Sequence, residues 1–177
     1  MSNDSCSYKF IALGVTVLFA FCPIGTDAAQ KMETKEMAFL QKAAQEQLAE
    51  IALAKLAMKK ASDKKVKELG AEILEDHQYA SQEIQDVSAK EGVYLPVDMD
   101  KQHMKVQQRL SHLSGNEFDR AFIAYVLKTH RKQVEEIQNN ASKLRNENVR
   151  QWVQTTEPIL AVHLKKAENV AEALGVE

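Results

Sequence analysis

The stretch GAEILEDHQYA, Gly70–Ala80, is the strongest indication of the fold of this chain. Around it Ile73, Ala80 and Ile84 recur at spacings of seven and four, which is the repeat of one face of an α-helix. His77 lies on the same face, four residues after Ile73 and three before Ala80. The pattern predicts that a titratable ring points into the core of a helical protein.

The composition favours one all-α domain. The chain has 177 residues, a formal net charge of -2 and only 3 prolines, and it is rich in residues that form helices well. A slightly acidic chain lacks the general electrostatic footprint of nucleic-acid binding, so no nucleic-acid partner is expected. The sequence does not indicate which protein partner, if any, the domain has.

The first residues resemble an export signal. Lys9 precedes an apolar run, Phe10–Phe21, that is too short to span a bilayer comfortably, and Thr26-Asp27-Ala28 forms a small-residue cleavage site. We predict a signal peptide at residues 1–28 and a mature domain at residues 29–177, located in the periplasm with no transmembrane anchor after processing. Phe21 is too large for the residue before a lipidated Cys22.

The periodicity predicts four long helices and a short one. Their expected bounds are about Lys35–Lys60, Asp63–Lys90, Lys101–Leu113, Asn116–Asn139 and Val149–Leu174, and Pro158 should kink the last of them. The break at residues 61–63 is short, so the first two helices should form an antiparallel hairpin. The connection at residues 93–115 is long enough to run the length of a bundle, so the second and third long helices should be parallel. The two hairpins show no convincing sequence repeat.

Polar residues also have expected places in this arrangement. Leu40, Ala44, Leu48, Ile51 and Met58 form the predicted apolar stripe of the first helix, with Glu50 at its edge. Asp119, three residues after the expected N-cap Asn116, should complete the cap of its own helix.

One histidine lies on the core face of each of three helices: His77, His130 and His163. Residues equally far from a hairpin turn lie side by side, which pairs His130 with His163 and Glu50 with His77. Three imidazoles and a carboxylate suit one zinc, copper or iron ion, with Asp76 or Glu75 supporting a histidine.

Two other interpretations of these histidines compete with that mononuclear site. A ferritin-type di-iron centre needs Glu three residues before a histidine on two helices, and no histidine here has it. The histidines could instead be buried and hydrogen-bonded to carboxylates such as Glu50. The remaining histidines, His103 and His112, are nine residues apart and are expected at the surface.

The residues that carry these features resemble a bacterial exported family of unknown function, placed in the ferritin-like superfamily and often labelled "predicted outer membrane protein". The resemblance covers residues 37–174 and rests on Phe39-Leu40, Ala43-Ala44, Glu50, Asp76-His77, Leu95-Pro96, Ser114-Gly115, Phe118-Asp119-Arg120, His130, Pro158 and His163. It implies an exported four-helix bundle and no particular reaction.

The sequence therefore supports two functional hypotheses. In the first, a periplasmic, ferritin-like four-helix bundle with a short helix in its long crossover binds one metal ion through Glu50, His77, His130 and His163, in metal handling or stress tolerance. In the second, it is a structural or partner-binding bundle of the envelope whose histidines bind no metal. Enzymatic activity is the least favoured, because four protein ligands leave no obvious open position, although Glu50 could be a base.

Overall fold

The structure, a computed structural model, describes residues 32–176, and every regular element in that range is helical. The helices are α1 (Thr34–Lys60), α2 (Lys64–Glu91), α3 (Lys101–Ser111), α4 (Gly115–Asn140) and α5 (Glu147–Leu174), with a 3-10 turn at Ala141–Lys143. The predicted all-α bundle with a short helix in the crossover is confirmed. The predicted signal peptide, residues 1–28, lies outside the described residues.

The helix ends follow their sequence signals closely. The Asp63 carboxylate accepts hydrogen bonds from the first turn of α2, and that of Asp100 does the same for α3. Gly92 and Gly175 end α2 and α5 in the left-handed conformation that glycine adopts readily. The expected N-cap of α4, Asn116, is wrong by two residues, since Ser114 precedes that helix, and Glu33 precedes α1. Helix α5 is continuous through Pro158.

Side-chain pairs between the hairpins fix the directions of the helices. Helix α1 packs on α2 and antiparallel to α4, and α2 packs antiparallel to α5. The pairs that show this are Lys42–Glu136, Glu50–Gln133 and Ser62–Asp119 for α1 and α4, and Glu72–Lys166, Asp76–His163 and Ala80–Trp152 for α2 and α5. Helices α2 and α4 therefore run in the same direction, as predicted.

The two hairpins repeat each other at a spacing of 83 residues, the separation of Glu50 and Gln133. Helices α2 and α5 have 28 residues each and end at equivalent glycines. Buried positions recur at that spacing, although their chemistry differs: Glu36 and Asp119, Gln47 and His130, Glu50 and Gln133, His77 and Leu160, Ala80 and His163. Because unlike residues occupy the equivalent positions, the repeat is not apparent from the sequence.

The core-facing side of α1 differs from the predicted stripe. Leu48 and Ile51 are only half-buried and Met58 is 48% exposed, whereas Ala43, Gln47, Glu50, Ala54 and Ala57 are buried. Small residues dominate this face because α1 and α2 approach closely. A Cβ atom on Gly70 would lie 2.8 Å from that of Ala57.

Two buried carboxylates join the hairpins at their turns. Asp119, near the start of α4, accepts hydrogen bonds from the backbone N–H groups of Ser62 and Asp63 and from the Ser62 hydroxyl, at 2.5 to 3.2 Å. The prediction that it caps its own helix is wrong, because its side chain reaches the α1–α2 turn instead. Glu36, near the start of α1, accepts from the N–H groups of Arg145 and Asn146 in the α4–α5 connection.

A polar layer divides the apolar core. One cluster of buried apolar residues surrounds Phe118 and Phe122 near the α1–α2 turn, and another surrounds Trp152 and Leu40 at the opposite end. Between them lie the three histidines and the buried residues Gln47, Glu50 and Gln133. Buried polar groups are costly unless they find partners, so the partners of this layer indicate what it can bind.

Candidate metal centre

Helices α2, α4 and α5 bring His77, His130 and His163 together at one height in the bundle. Each ring is at most 2% exposed, and the ring centroids are 5.4 to 5.6 Å apart. One nitrogen from each ring lies within 4.8 Å of the other two. The sequence placed His130 and His163 at one level, and the structure adds His77 to that level.

In each ring one nitrogen faces a polar side chain and the other has no hydrogen-bond partner. His77 Nδ1 is 2.8 Å from Gln47 Oε1, and His163 Nε2 is 2.9 Å from Asp76 Oδ2. His130 Nδ1 lies near the Thr129 hydroxyl, at 3.4 Å. The unpartnered nitrogens are His77 Nε2, His130 Nε2 and His163 Nδ1, all buried. A proton on each engaged nitrogen leaves the lone pair of the other free to bind a cation.

Glu50 lies beside the histidines, on the side of their engaged nitrogens. Its Oε2 is 2.8 Å from His77 Nδ1, and its Oε1 is 3.6 Å from His130 Nδ1 and accepts a hydrogen bond of 3.0 Å from Gln133 Nε2. The two nitrogens of an imidazole point away from each other, so a carboxylate at Nδ1 is not directed at the ion that Nε2 would bind. Glu50 is placed to support two histidines, and its role as a fourth ligand stays a prediction, since its buried Oε2 atom has no hydrogen-bond partner in residues 32–176.

Asp76 is the other supporting carboxylate, and it bonds a histidine of another helix. Its neighbour in sequence is His77, but its side chain, 42% exposed, bonds His163 of α5. Glu75, the other residue predicted for this role, is exposed. A carboxylate that holds one nitrogen of a histidine fixes its tautomer and ring orientation, which is the usual arrangement around metal ligands.

Gln47 and Gln133 belong to the site although the sequence did not single them out. Both are buried, and each amide contacts either His77 or Glu50. The available signal was spacing, since Gln47 precedes Glu50 by three residues on α1 and Gln133 follows His130 by three on α4. The two other histidines lie apart from the site: His103 is half-buried 3.0 Å from Asp100, and His112 is exposed.

Burial favours the neutral form of two of the histidines, His130 and His163. Burial lowers the pKa of His130, against the opposing effect of Glu50, and burial with the nearby ring of His77 lowers the pKa of His163. Burial alone would raise the pKa of Glu50, but His77 and His130, with hydrogen bonds from His77 and Gln133, outweigh it and lower that pKa. An ionised carboxylate beside neutral imidazoles is the protonation state that a bound cation requires.

The metal-free protein should lose stability as the pH falls. The pKa values of His130 and His163 lie below that of an unfolded histidine, about 6.5, so below that pH the unfolded chain binds more protons than the folded one. Each histidine then contributes a loss of up to about 1.4 kcal/mol per pH unit. Urea unfolding at pH 7.5, 6.5 and 5.5 measures this slope. The variant His130→Leu should show a shallower slope, and equal slopes would contradict the assignment.

Comparison with known proteins identifies the family of the chain. Residues 23–170, which include Glu50 and all three histidines, match the family model described as "Domain of unknown function (DUF4142)". The chain belongs to this family. No curated protein matches this DUF4142 chain. Its fold is similar to the crystal structure of a DUF305 fragment from Deinococcus radiodurans, with a TM-score of 0.71 and 16% identity over 82% of this chain and 99% of that one.

These comparisons confirm the expected domain of unknown function and a shared helical fold, while the ferritin-like superfamily and the outer-membrane label stay predictions. Within residues 32–176 of the DUF4142 chain, no helix has the length and apolar character needed to cross a membrane.

Proposed function

We propose that this DUF4142 protein binds one transition-metal ion through His77 Nε2, His130 Nε2 and His163 Nδ1. The observations that carry the proposal are that each of the three rings has a buried nitrogen without a hydrogen-bond partner, and that one nitrogen of each ring lies within 4.8 Å of one nitrogen of each other ring. An unpartnered polar atom in a protein interior destabilises the fold by about 1–3 kcal/mol. One cation would satisfy all three nitrogens at once.

The distances suit a metal ion after a small adjustment of the side chains. Zinc–nitrogen bonds of about 2.0–2.1 Å at tetrahedral angles place the ligand atoms about 3.3 Å apart. Nitrogens that are separated by at most 4.8 Å reach that spacing when each ring moves by about 1 Å. Rotation about side-chain bonds is sufficient for such a movement, and the helices need not shift.

The ligand set favours zinc or copper, with iron as the third choice. Imidazole suits all three metals, and divalent copper and zinc bind nitrogen sites more tightly than divalent iron. Three protein ligands leave a fourth position for water or another exchangeable ligand, in contrast to a closed structural site. An exchangeable position supports a role in metal handling or stress tolerance, in which the ion is taken up and released.

Metal titration of the purified protein tests this function. After treatment with a chelator, the protein should bind one equivalent of Zn²⁺ or Cu²⁺, and its melting temperature should rise with the concentration of free metal, because a ligand of the folded state stabilises it by mass action. If neither ion is bound, the metal function is wrong. The chain would then be a structural or partner-binding bundle in which the histidines contact only the side chains of the protein, such as Gln47, Glu50 and Asp76.

We also propose that the chain is exported to the periplasm and cleaved after Ala28. The support is the apolar run Phe10–Phe21 with the small-residue site that follows it. N-terminal sequencing of the mature protein from the bacterial envelope should begin at Ala29. A mature chain that retains Cys22 with an attached lipid would contradict this prediction and make the protein an anchored lipoprotein.

A further inference from the structure

A narrow pocket between α1, α4 and α5 extends from the surface toward the three histidines. The residues that matter to its chemistry are Glu46, Gln47, Gln133, Glu136, Trp152 and Thr156. Its cavity of about 30 Å³ has room for one or two water molecules.

Two amides at the inner end connect the pocket to the proposed metal site. Gln47 bonds His77 Nδ1 and Gln133 bonds Glu50, so each lining amide is one hydrogen bond away from a ligand or its supporting carboxylate. Gln133 is 8% exposed, and its Oε1 atom has no hydrogen-bond partner. A buried carbonyl oxygen without a partner, on a residue that lines a polar pocket, is suited to contact a passing cation.

The outer end carries two carboxylates that are held by lysines. Lys42 pairs with Glu46 at 3.6 Å and with Glu136, and Lys132 lies 3.6 Å from Glu136. These side chains are 16% to 59% exposed, and ion pairs near solvent are weak, typically about 0–1 kcal/mol. A divalent cation can therefore displace the lysines from the carboxylates.

We propose that this pocket is the entrance through which a hydrated divalent metal ion reaches the histidines. Glu46 and Glu136 capture the ion at the mouth, and the side chains of Gln47 and Gln133 turn aside to pass it inward. The inference rests on the proposed metal function and concerns how the ion arrives. The pocket is narrow, so the ion can pass only when lining side chains rotate. Such rotation is fast compared with the exchange of metal ions.

Other approaches to the histidines lack these features. A wider pocket between α2 and α5 is also acidic, with Glu83 and Asp86 among its lining residues, but none of its lining residues bonds a histidine or Glu50, as Gln47 and Gln133 do in the first pocket. The partly exposed carboxylate of Asp76 lies beside the site, but it bonds Nε2 of His163, which is not the nitrogen that the proposed site uses. The entrance at α1, α4 and α5 thus joins an acidic mouth to residues that contact the site.

Stopped-flow uptake of Co²⁺ by the metal-free protein tests the entrance. Absorption of the Co²⁺–imidazole complex reports binding, and the fluorescence of Trp152, the single tryptophan, reports passage along the pocket it lines.

The double variant Glu46→Gln, Glu136→Gln should take up Co²⁺ at least about tenfold more slowly than the wild type. Its equilibrium affinity should stay within about threefold of the wild type, because an entrance that slows uptake slows release equally. The variant Lys42→Met should take up the ion faster.

The matched control is Glu83→Gln with Asp86→Asn, which removes the same charge from the wider pocket and should leave the rate within about twofold. The entrance is overturned if the first double variant keeps the wild-type rate, if the control slows as much, or if slower uptake comes with an equal loss of affinity. A wild-type protein that binds no Co²⁺ at equilibrium overturns the metal function as well, whereas normal binding with unchanged rates overturns the entrance alone.

Discussion

Replacing His77, His130 or His163 with leucine, one at a time, is expected to abolish the rise in melting temperature that Zn²⁺ or Cu²⁺ produces in the wild type. Each substitution removes one of three ligands from a site in which Glu50 is not placed as a replacement. At free metal 100 times the dissociation constant the stabilisation is about 2.7 kcal/mol. For a domain of this size that is a shift of roughly 5–10 °C in a thermal melt.

His112→Leu is the matched control for these variants. It makes the same substitution at an exposed histidine at the end of α3 and should keep the full metal-dependent shift. Glu50→Gln and Asp76→Asn should retain binding of one ion with an affinity about 10–100-fold lower, because they remove only the groups that orient the ligands. If the three leucine variants bind metal as the wild type does, the histidines are not the ligands.

Replacing Asp119 with alanine is expected to destabilise the fold by about 2–4 kcal/mol, because three partly buried donors lose a charged acceptor and each costs less than the about 1–3 kcal/mol of a fully buried donor. The carboxylate is 1% exposed and accepts from two backbone N–H groups and a hydroxyl at the α1–α2 turn. Urea unfolding of the metal-free protein measures the change.

Asp98→Ala removes an exposed carboxylate from the crossover and should change stability by less than about 0.5 kcal/mol. If Asp119→Ala also lowered the free energy of unfolding by less than about 0.5 kcal/mol, the α1–α2 turn would not depend on α4.

The sequence predicted the helices well because their ends carry local signals. Asp100, Gly92 and Gly175 act at the helix ends where propensity and capping place them. The buried face of α1 was harder to predict, since it includes Gln47 and Glu50, and hydrophobic periodicity does not register polar residues that face inward. The role of Asp119 was missed for a related reason, because its partners are distant in sequence.

The site was predictable in part. The core-facing positions of His77, His130 and His163 followed from helical spacing, and the height of each pair followed from hairpin geometry. Two things lay beyond the sequence: the relative height of the hairpins, which the crossover sets, and which nitrogen of each ring faces the cluster. The identity of that nitrogen decides the role of Glu50, because a carboxylate at Nδ1 orients a histidine that binds through Nε2.

Asp119 and Glu36, the two carboxylates that each bind the turn of the other hairpin, also determine the order in which the molecule can fold. Asp119 closes the α1–α2 turn from 57 residues away, and Glu36 closes the α4–α5 connection from 109 residues away. In an intermediate with a single folded hairpin, water would take the place of the missing carboxylate at the donors of its turn. Contacts so distant in sequence form late, after the entropy of closing long loops has been overcome. We therefore expect the two halves of the bundle to reach their final form together, in a single cooperative transition.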